Sequence, residues 1–286
     1  MTSSLLSVEQ LRAQLSDPDL LIFDVRHSLA DHGAGFAAWQ TSRIPGSQFL
    51  FVETELSGAH APGLGRHPLP RSEDFAQLMR DSGVQPTSRV VVYDDGEGAM
   101  AARLWWLLRA QGFAAVQVLD GGWQAWQQAQ APVDSTTQSA RTLRGAAATP
   151  FVTQPSLVRT VHTAEVLANM QQPTFTVVDA RGGPRFRGEV EPMDPVAGHI
   201  PGAINRPYTD NLENGRFKPA AQLAQEWQAV LAAAPYKALV HQCGSGVTAC
   251  HNLLAMTVAG LDAGVLYPES WSGWCSNPAH PVATGA

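Results

Sequence analysis

The sequence has little that suits a secreted, membrane-spanning or disulfide-stabilised protein. Its 286 residues include only three cysteines, Cys243, Cys250 and Cys275, which are too few and odd in number for a disulfide framework. No apolar run approaches the ~20 residues that a membrane-spanning helix needs. The N-terminus reaches Glu9 and Arg12 without a basic and apolar leader, so no secretory signal is predicted. These absences favour a cytoplasmic location and leave metal, redox or nucleophilic chemistry for the cysteines.

Charge is also sparse. Charged residues make up 15% of the chain, the formal net charge is -6, and no cluster of Lys and Arg could follow a phosphate backbone. A nucleic-acid partner therefore lacks electrostatic support, and small molecules are favoured. The 44% hydrophobic content, with eight Trp, indicates a folded globular chain. Its length allows two domains, because one compact domain has roughly 100 to 200 residues.

Four features recur in the same order in the two halves of the chain. They are an apolar run ending in Asp-x-Arg, an Ile-Pro-Gly segment, an apolar run followed by a loop, and a pair of tryptophans. The matched segments are 21–26 with 177–181, 43–46 with 199–202, 90–98 with 239–246, and Trp123 and Trp126 with Trp271 and Trp274. The offset is about 150 residues, which predicts a duplicated domain rather than the short repeats of a solenoid.

Within each half, short β-rich runs alternate with helical patterns, which predicts a parallel sheet covered by helices. The predicted strands are 20–24, 89–93, 116–119, 176–179 and 238–241, and the predicted helices are 72–81, 99–110, 219–233 and 247–259. We therefore predict an α/β fold with two tandem domains, residues 1–135 and 156–286. The linker is predicted at 136–155, a stretch of small and polar residues.

The second half carries the candidate nucleophile on a glycine-rich loop. Cys243 follows a strand that ends near His241 and precedes residues 244–246 and a helix from Val247. This places it at the carboxyl edge of the sheet, where open α/β sheets bind ligands. Backbone N–H groups of the loop and the start of the helix would stabilise an anion at the sulfur. Such a thiolate suits a nucleophile that accepts an outer sulfur atom and holds it as a persulfide.

Other interpretations of the cysteines remain open or are disfavoured. Cys250 lies in a helical pattern and Cys275 beside a tryptophan, as expected for buried structural thiols. Zinc is disfavoured because no Cys-x-x-Cys or His-x-x-x-His spacing occurs. A cysteine phosphatase needs an arginine six residues after its cysteine, and that position is Ala249. A non-catalytic persulfide carrier or a redox-sensing thiol at Cys243 stays open.

Together, these motifs resemble the two-domain rhodanese family over nearly the whole chain. They include the tandem layout, the Asp-x-Arg and Ile-Pro-Gly segments, the loop Cys-Gly-Ser-Gly-Val-Thr-Ala at 243–249, and Ser270-Trp271. The loop is similar to that of 3-mercaptopyruvate sulfurtransferases, whereas thiosulfate-specific members usually have more basic residues there. The resemblance implies two rhodanese-like domains, an inactive first domain and no metal or organic cofactor. The sequence agrees, since the offset aligns Cys243 with Asp95, which cannot form a persulfide.

The resemblance also implies roles for particular residues. Cys243 is implied as the catalytic residue, and Arg185 as the group that grips the donor anion. The loop residues implied in substrate binding are Gly244, Ser245, Gly246, Val247 and Thr248. A guanidinium matches a carboxylate or thiosulfonate geometrically, which supports the role of Arg185. The alternative for Arg185 is a surface arginine paired with Glu189 or Glu191.

Some mercaptopyruvate enzymes use a Ser-His-Asp relay. Its best matches here are Ser245, His67 and Glu53, with glutamate in place of aspartate, and the alternative for His67 is an exposed loop histidine. The sequence departs from the family at Met193, where mercaptopyruvate enzymes usually have a second arginine. It departs again at Glu269, where glycine is common. With one cation missing, the choice of donor stays open.

We therefore predict a sulfurtransferase that moves sulfane sulfur from 3-mercaptopyruvate or thiosulfate to a thiol or cyanide through a Cys243 persulfide. The predicted partners are these small molecules, with thioredoxin-like protein thiols as further acceptors. No nucleic acid or membrane is expected.

Overall fold

A computed structural model describes residues 3–137 and 149–286 of the chain, which divides into two compact units. The first unit comprises Met1–Gly58 and Pro70–Val158, and the second comprises Ala59–Leu69 and Arg159–Ala286. Residues 138–148, which form most of the predicted linker, lie outside the described residues, and the domain boundaries stay a prediction. Among the described residues, no helix is long and apolar enough to cross a membrane.

The first unit is built on a parallel sheet of five strands. The strands are β1 (Leu5–Leu6), β2 (Leu20–Asp24), β3 (Ser47–Phe49), β4 (Arg89–Tyr93) and β5 (Val116–Leu119). The helices are α1 (Val8–Arg12), α2 (Ala34–Thr41), α3 (Ser72–Asp81), α4 (Ala99–Ala110) and α5 (Gly122–Gln128). The strand order is β1-β5-β4-β2-β3, and every neighbouring pair is parallel. Because helices cover such a sheet, β2 is buried along its whole length and reads as a nearly continuous apolar run.

The second unit repeats this plan with a smaller sheet. Its strands are β6 (Thr176–Asp179), β7 (Ile204–Asn205), β8 (Leu212–Glu213), β9 (Arg216–Phe217), β10 (Leu239–Gln242) and β11 (Val265–Leu266). Its helices are α6 (Thr163–Gln171), α7 (Gly183–Phe186), α8 (Ala220–Ala233), α9 (Thr248–Val258) and α10 (Ser270–Trp274). The order β11-β10-β6-β7 is parallel throughout, and β8 and β9 form a separate antiparallel hairpin. The central strands β10 and β6 therefore end side by side at one edge.

The fold class predicted from the sequence is confirmed, because both units are parallel sheets flanked by helices. The predicted strands of the first half have the observed bounds, and the strand predicted at 238–241 lies one residue later, at Leu239–Gln242. Among the elements absent from the sequence prediction are β1, the β8–β9 hairpin and the four-residue helix α7. Elements of two to four residues are too short to show a hydrophobic period.

The repeated tryptophans lie in the cores of their units. Trp126 and Trp274 are fully buried among strand side chains such as Val91 in the first unit and Val240 in the second. Each indole N–H is satisfied, by the carbonyl of Pro132 at 2.8 Å in the first case and by the carbonyl of a proline at 2.9 Å in the second. Truncating either ring to alanine would cost about 3 to 5 kcal/mol.

The repeated Asp-x-Arg motif is a structural device in both units. The Nε of Arg26 donates to Asp24 at 2.8 Å, and Nη2 of Arg181 donates to Asp179 at 2.6 Å. All four side chains are buried. The guanidinium carbon of Arg181 also lies 4.7 Å from the centre of the Trp271 ring, and Arg26 stacks on the equivalent tryptophan at 4.8 Å. The motif thus ties the end of a central strand to the last helix of its unit.

Candidate active site

The candidate nucleophile follows the central strand of the second sheet. Cys243 comes directly after β10, and only 2% of its surface is exposed. The backbone N–H of Gly246 donates to its Sγ at 3.2 Å. The N–H of Cys243 itself donates to the hydroxyl of Ser270 at 3.1 Å. A backbone dipole therefore points at the sulfur, where it favours negative charge.

The conformation of this loop is set by its backbone geometry and by its contacts with neighbouring segments. Gly246 has a φ of +77°, and a Cβ there would lie 2.5 Å from the carbonyl oxygen of Pro268. The loop is also held by α10, since the N–H of Trp271 donates to the carbonyl of Cys243 at 3.0 Å. Ser270, at the start of α10, has a φ of +53°, which is unfavourable for a residue with a Cβ. The Ser270 hydroxyl that receives the cysteine N–H also donates to a backbone carbonyl three residues earlier, at 3.0 Å, which sets its direction.

Two arginines reach the same point of the loop. A Cβ on Gly244 would lie 2.9 Å from Nη2 of Arg66, and 3.5 and 3.6 Å from the two terminal nitrogens of Arg185. The side chains of Arg66 and Arg185 are 27% and 20% exposed, so part of each remains open to solvent. The sequence pointed to Arg185, but it gave no sign that Arg66, far away in the chain, belongs to the same site. The structure places Arg66 in the second unit, within Ala59–Leu69.

Buried carboxylates hold both arginines. Nη2 of Arg185 lies 2.7 Å from Oε1 of Glu191 and 3.1 Å from Oδ2 of Asp194, and Nη1 of Arg66 pairs with Oδ1 of Asp194. The side chains of Glu191 and Asp194 are each 3% exposed. Burial raises the pKa of Asp194 above its usual value, although the two arginines oppose the shift. Burial acts the same way on Glu191, but hydrogen bonds from Arg185 and from backbone N–H groups bring its pKa below the usual value.

The alternative pairings of Arg185 are thereby resolved. It does pair with Glu191, in a two-point contact at 2.7 and 3.2 Å, whereas Glu189 pairs with Arg187. The pairing with Glu191 does not make Arg185 a free surface residue, because its guanidinium also lies against Gly244. Met193 is 40% exposed, and its backbone N–H donates to Glu191. Arg66, not a residue near Met193, supplies the second guanidinium at this loop.

His67 and Ser245 meet as the relay hypothesis requires. Nδ1 of His67 lies 2.7 Å from Oγ of Ser245, and both residues are buried. His67 is therefore not the exposed loop histidine of the alternative interpretation. Glu53 lies in the first unit, where its Oε1 is 3.3 Å from Nε2 of His27. Its place as third member of the relay stays a prediction.

The first unit contains an equivalent loop, one residue out of step with the sequence offset. Tyr93 and Gln242 occupy the same register position, each opposite the aspartate of its Asp-x-Arg motif. The next residues are Asp94 and Cys243, and the carbonyl of each accepts an N–H from the repeated tryptophan. The structural equivalent of Cys243 is therefore Asp94, not the Asp95 that the offset selects.

An extra residue in the first loop explains this shift. The left-handed glycine before the helix is Gly98 in the first unit and Gly246 in the second, which places it four residues after Asp94 but three after Cys243. An alignment that applies one constant offset, taken from the tryptophans after the loop, does not show such an insertion. Neither Asp94 nor Asp95 has a thiol, so the first loop lacks the equivalent of the Cys243 sulfur in either alignment.

Asp94 occupies the backbone amides of its loop with its own carboxylate. The oxygens accept N–H groups from four residues at 2.9 to 3.2 Å. These donors are Gly96, Gly98, Met100 and Ala101. Burial raises the pKa of Asp94, and the four N–H groups oppose that shift. The carboxylate of Asp94 thus takes up the backbone N–H groups that an external anion would need in the loop of the first unit.

The other two cysteines are placed as structural residues. Cys250 is fully buried, and its thiol donates to the carbonyl of Gly246 at 3.4 Å. Cys275 is 6% exposed, and burial, with a further contribution from the charge of Asp194, raises its pKa to about 11. A thiol of that pKa is almost fully protonated at neutral pH and makes a poor nucleophile.

Comparison with protein-family models gives two matches in this chain. The model described as "Rhodanese-like domain" matches residues 7–129 and again 162–277. A relative named "Probable 3-mercaptopyruvate sulfurtransferase", from Pseudomonas aeruginosa, is 46% identical over 287 residues and covers 99% of each chain. A "Putative thiosulfate sulfurtransferase" from Mycobacterium tuberculosis is 38% identical, over 95% of this chain and 93% of the relative.

Solved structures show the same likeness. A 3-mercaptopyruvate sulfurtransferase from Leishmania major superposes with a TM-score of 0.80 at 30% identity, covering 94% of this chain and 73% of that one. The crystal structure of a 3-mercaptopyruvate sulfotransferase from Escherichia coli gives 0.79 at 31% identity, over 95% and 100% of the two chains.

Proposed function

This chain belongs to the rhodanese family, as two tandem copies of its domain, and we propose that it is a sulfurtransferase that carries sulfane sulfur as a persulfide on Cys243. One observation carries the proposal: the Cys243 sulfur receives a backbone N–H in a loop that two guanidinium groups adjoin. The amide stabilises negative charge on the sulfur, and the guanidinium groups attract an anionic donor to the adjacent position.

In the first half-reaction, the Cys243 thiolate attacks the outer sulfur of the donor. With 3-mercaptopyruvate, a sulfur–sulfur bond forms as the carbon–sulfur bond breaks, and the electron pair passes to the enolate of pyruvate. The enolate takes up the proton released from the donor thiol. With thiosulfate, the sulfur–sulfur bond of the donor breaks and sulfite leaves with the electron pair. Either route leaves the enzyme as a Cys243 persulfide.

The two donors differ in their need for a proton, and His67 with Ser245 is suited to meet it. A hydroxyl and an imidazole 2.7 Å apart can pass a proton between donor thiol and enolate. We assign this role to the pair, with Glu53 as the proposed third member. Sulfite leaves as a stable anion and needs no such transfer. The presence of the pair therefore supports 3-mercaptopyruvate as the better donor.

In the second half-reaction, an acceptor attacks the terminal sulfur of the persulfide and regenerates the Cys243 thiolate. Cyanide becomes thiocyanate, and a thiol becomes a persulfide of its own. Thioredoxin-like protein thiols are proposed as further acceptors, and the cytoplasm as the location. Because donor and acceptor react in separate steps, ping-pong kinetics are expected.

Steady-state turnover tests this function. Purified protein would be given 3-mercaptopyruvate or thiosulfate with cyanide, and thiocyanate would be measured for the wild type and for Cys243→Ser. We expect many turnovers from the wild type and none above background from the variant. A single turnover per chain would instead support a non-catalytic persulfide carrier. Undiminished turnover by Cys243→Ser would remove Cys243 from the reaction.

A further inference from the structure

The turn at the start of α10 differs from its counterpart in the first unit in a way that bears on Cys243. Ser270 corresponds to Gly122, since each directly precedes the repeated tryptophan, and their φ values are +53° and +52°. Glycine adopts this conformation freely, whereas a residue with a Cβ is strained in it and is kept there only by the surrounding structure. The serine provides the hydroxyl that accepts the N–H of Cys243 at 3.1 Å, which glycine could not do. The turn of the second unit therefore has to be anchored.

We propose that Glu269 is this anchor, as a positioning residue that acts through Ser270 and the cysteine loop on the reactivity of the Cys243 sulfur. Its contact with His162 fastens the strained turn to the start of α6. This inference rests on the proposed function and adds to it a residue that acts on the nucleophile through the backbone.

The contact joins a nearly buried carboxylate to an exposed imidazole. Oε1 of Glu269 lies 2.6 Å from Nδ1 of His162, and the two side chains are 10% and 59% exposed. An ionised carboxylate only accepts hydrogen bonds, so Nδ1 is the donor. The backbone N–H of His162 in turn donates to the carboxylate of Glu165 at 2.8 Å. The residue that holds Glu269 is thus itself tied to the first turn of α6.

A second side-chain contact links the same two segments. Oγ1 of Thr163 lies 2.8 Å from the hydroxyl oxygen of Tyr267, two residues before Glu269. The chain that leads into α10 is therefore fastened to the start of α6 at two points. Of these, the contact of Glu269 is nearer in sequence to Ser270, so its loss should disturb the strained turn more.

The anchored segment holds the cysteine loop through its backbone. The N–H of Ser272 donates to the carbonyl of Gly244 at 2.9 Å. Gly246, whose N–H donates to Sγ of Cys243, packs so closely that a Cβ on it would lie 2.5 Å from the carbonyl oxygen of Pro268. The segment from Pro268 to Ser272 therefore sets the direction of the N–H group that faces the sulfur. A hydrogen bond weakens as its angle departs from linearity, so a shift of this segment makes the thiolate less stable.

The test is the reactivity of the free thiol, measured without donor or acceptor. Iodoacetamide would be added to the folded protein at pH 7, and peptide mapping would give the alkylation rate of Cys243. Glu269→Ala removes the contact with His162, so we expect this rate to fall about three- to tenfold, because the thiolate is the reactive form. The difference should shrink toward pH 10, where thiols ionise without such help. A rate at pH 7 that stays the same or rises would overturn the assignment.

Conservative variants distinguish positioning from a general loss of structure. Glu269→Gln keeps an oxygen that accepts from Nδ1 of His162, so its alkylation rate should stay within about twofold of the wild type. His162→Ala changes an exposed side chain, which covers the case in which Glu269→Ala does not fold, and it should lower the rate as much. The double variant should lose no more than either single variant, because both remove one contact. Additive losses would contradict the inference.

A matched control comes from an exposed glutamate in the same unit. Glu189 contacts Arg187 at 2.7 Å, and 54% of its side chain is exposed. Glu189→Ala removes a carboxylate and its ion pair without touching the turn, and we expect the alkylation rate of Cys243 to stay within about twofold of the wild type. A loss equal to that of Glu269→Ala would show a general effect of charge and overturn the assignment.

Turnover gives a second readout. Because Glu269 acts on the sulfur and not on the donor, Glu269→Ala should lower kcat/KM for 3-mercaptopyruvate and for thiosulfate by the same factor, about three- to tenfold. A loss confined to one donor would contradict the inference. Its failure is distinct from failure of the proposed function: in the former the wild type turns over and Glu269→Ala matches it, and in the latter the wild type turns over neither donor.

Discussion

The two units contain an equivalent loop, with a different residue at its first position. In the second unit the residue after the central strand is Cys243, whose sulfur receives the N–H of Gly246. In the first unit it is Asp94, whose carboxylate receives four backbone N–H groups. Both loops come before a helix and are fastened to the last helix by an N–H from a tryptophan. The fold thus directs backbone N–H groups at a negatively charged group in each unit, and in the first unit that group is the carboxylate of Asp94.

The surroundings of the two loops differ as well. Gly244 is adjoined by the guanidinium groups of Arg66 and Arg185, whereas Gly96 in the first loop is adjoined by the amide of Gln124. A buried carboxylate accepting N–H groups stabilises the start of a helix, and it neither binds an anion nor accepts sulfur. We infer that the first loop has a structural role, while the second holds its amide and its cations for a ligand.

Exchanging Cys243 and Asp94 between the two loops should have the largest effect on activity. Cys243→Asp places a carboxylate where the nucleophile stands, so thiocyanate production should fall at least about 1000-fold. Adding Asp94→Cys to this variant should not restore activity, because the first loop lacks the two arginines. The measurement is turnover with 3-mercaptopyruvate and cyanide, with Cys275→Ala as a control expected to stay within about threefold of the wild type. Recovery of activity by the double variant would show that the first loop can carry sulfur without the two arginines.

The next largest effect concerns stability. Asp94→Ala leaves four N–H groups without their acceptor, so the free energy of unfolding should fall by about 3 kcal/mol. Cys243→Ala removes one weak acceptor and should cost about 1 kcal/mol or less. Denaturant unfolding measures both changes, and hydrogen exchange at the start of α4 would locate the first. Equal losses in the two variants would mean that the loops do not differ in structural role.

A third difference lies in the central strands. His241 in β10 occupies the position that Val92 has in β4, and both are fully buried. Burial lowers the pKa of His241 from 6.5 to about 3. Between these values the unfolded chain binds the proton and the folded chain does not, so stability is lost as the pH falls below 6.5. The loss should reach about 2 kcal/mol by pH 5.

The check on this pH effect is a variant that cannot titrate. His241→Leu should remove this part of the pH dependence, measured as the difference in unfolding free energy between pH 7 and pH 5. If the wild type and His241→Leu have the same pH dependence, His241 is not held neutral in the folded second unit.

The smallest expected effect separates the two donors. Ser245→Ala removes the hydroxyl that contacts His67, so kcat/KM for 3-mercaptopyruvate should fall about tenfold. The value for thiosulfate should stay within about threefold, since release of sulfite needs no proton transfer. Equal losses for both donors would assign Ser245 to shaping the loop rather than to moving a proton.

Much of the fold could be predicted because buried parallel strands are continuous apolar runs. The strands at 20–24 and 89–93 were predicted with their observed bounds for this reason, and the helix at 99–110 from its helical pattern. The duplication was visible because the residues that fasten each sheet edge, Asp-x-Arg and the tryptophans, recur in order. Short elements such as β1 contain too few residues for a period and were missed.

The site was predicted only where its residues are neighbours in the chain. The loop 243–248 could be identified from glycine and cysteine alone, but no local pattern places Arg66 against Gly244. That contact depends on Ala59–Leu69 packing with the second unit rather than with the first. The one-residue slip between Asp94 and Asp95 has a related cause, because an insertion inside a loop leaves no trace in hydrophobic periodicity.

We propose that the sulfur travels on Cys243 and that the first unit carries none. The most direct test is mass spectrometry of protein incubated with 3-mercaptopyruvate and no acceptor, followed by peptide mapping. One additional sulfur atom per chain is predicted on the peptide containing Cys243, removed when cyanide is added and missing from Cys243→Ser. Sulfur on the peptides of Cys250 or Cys275 instead, or a wild-type chain that gains none, would show that Cys243 does not carry the transferred sulfur.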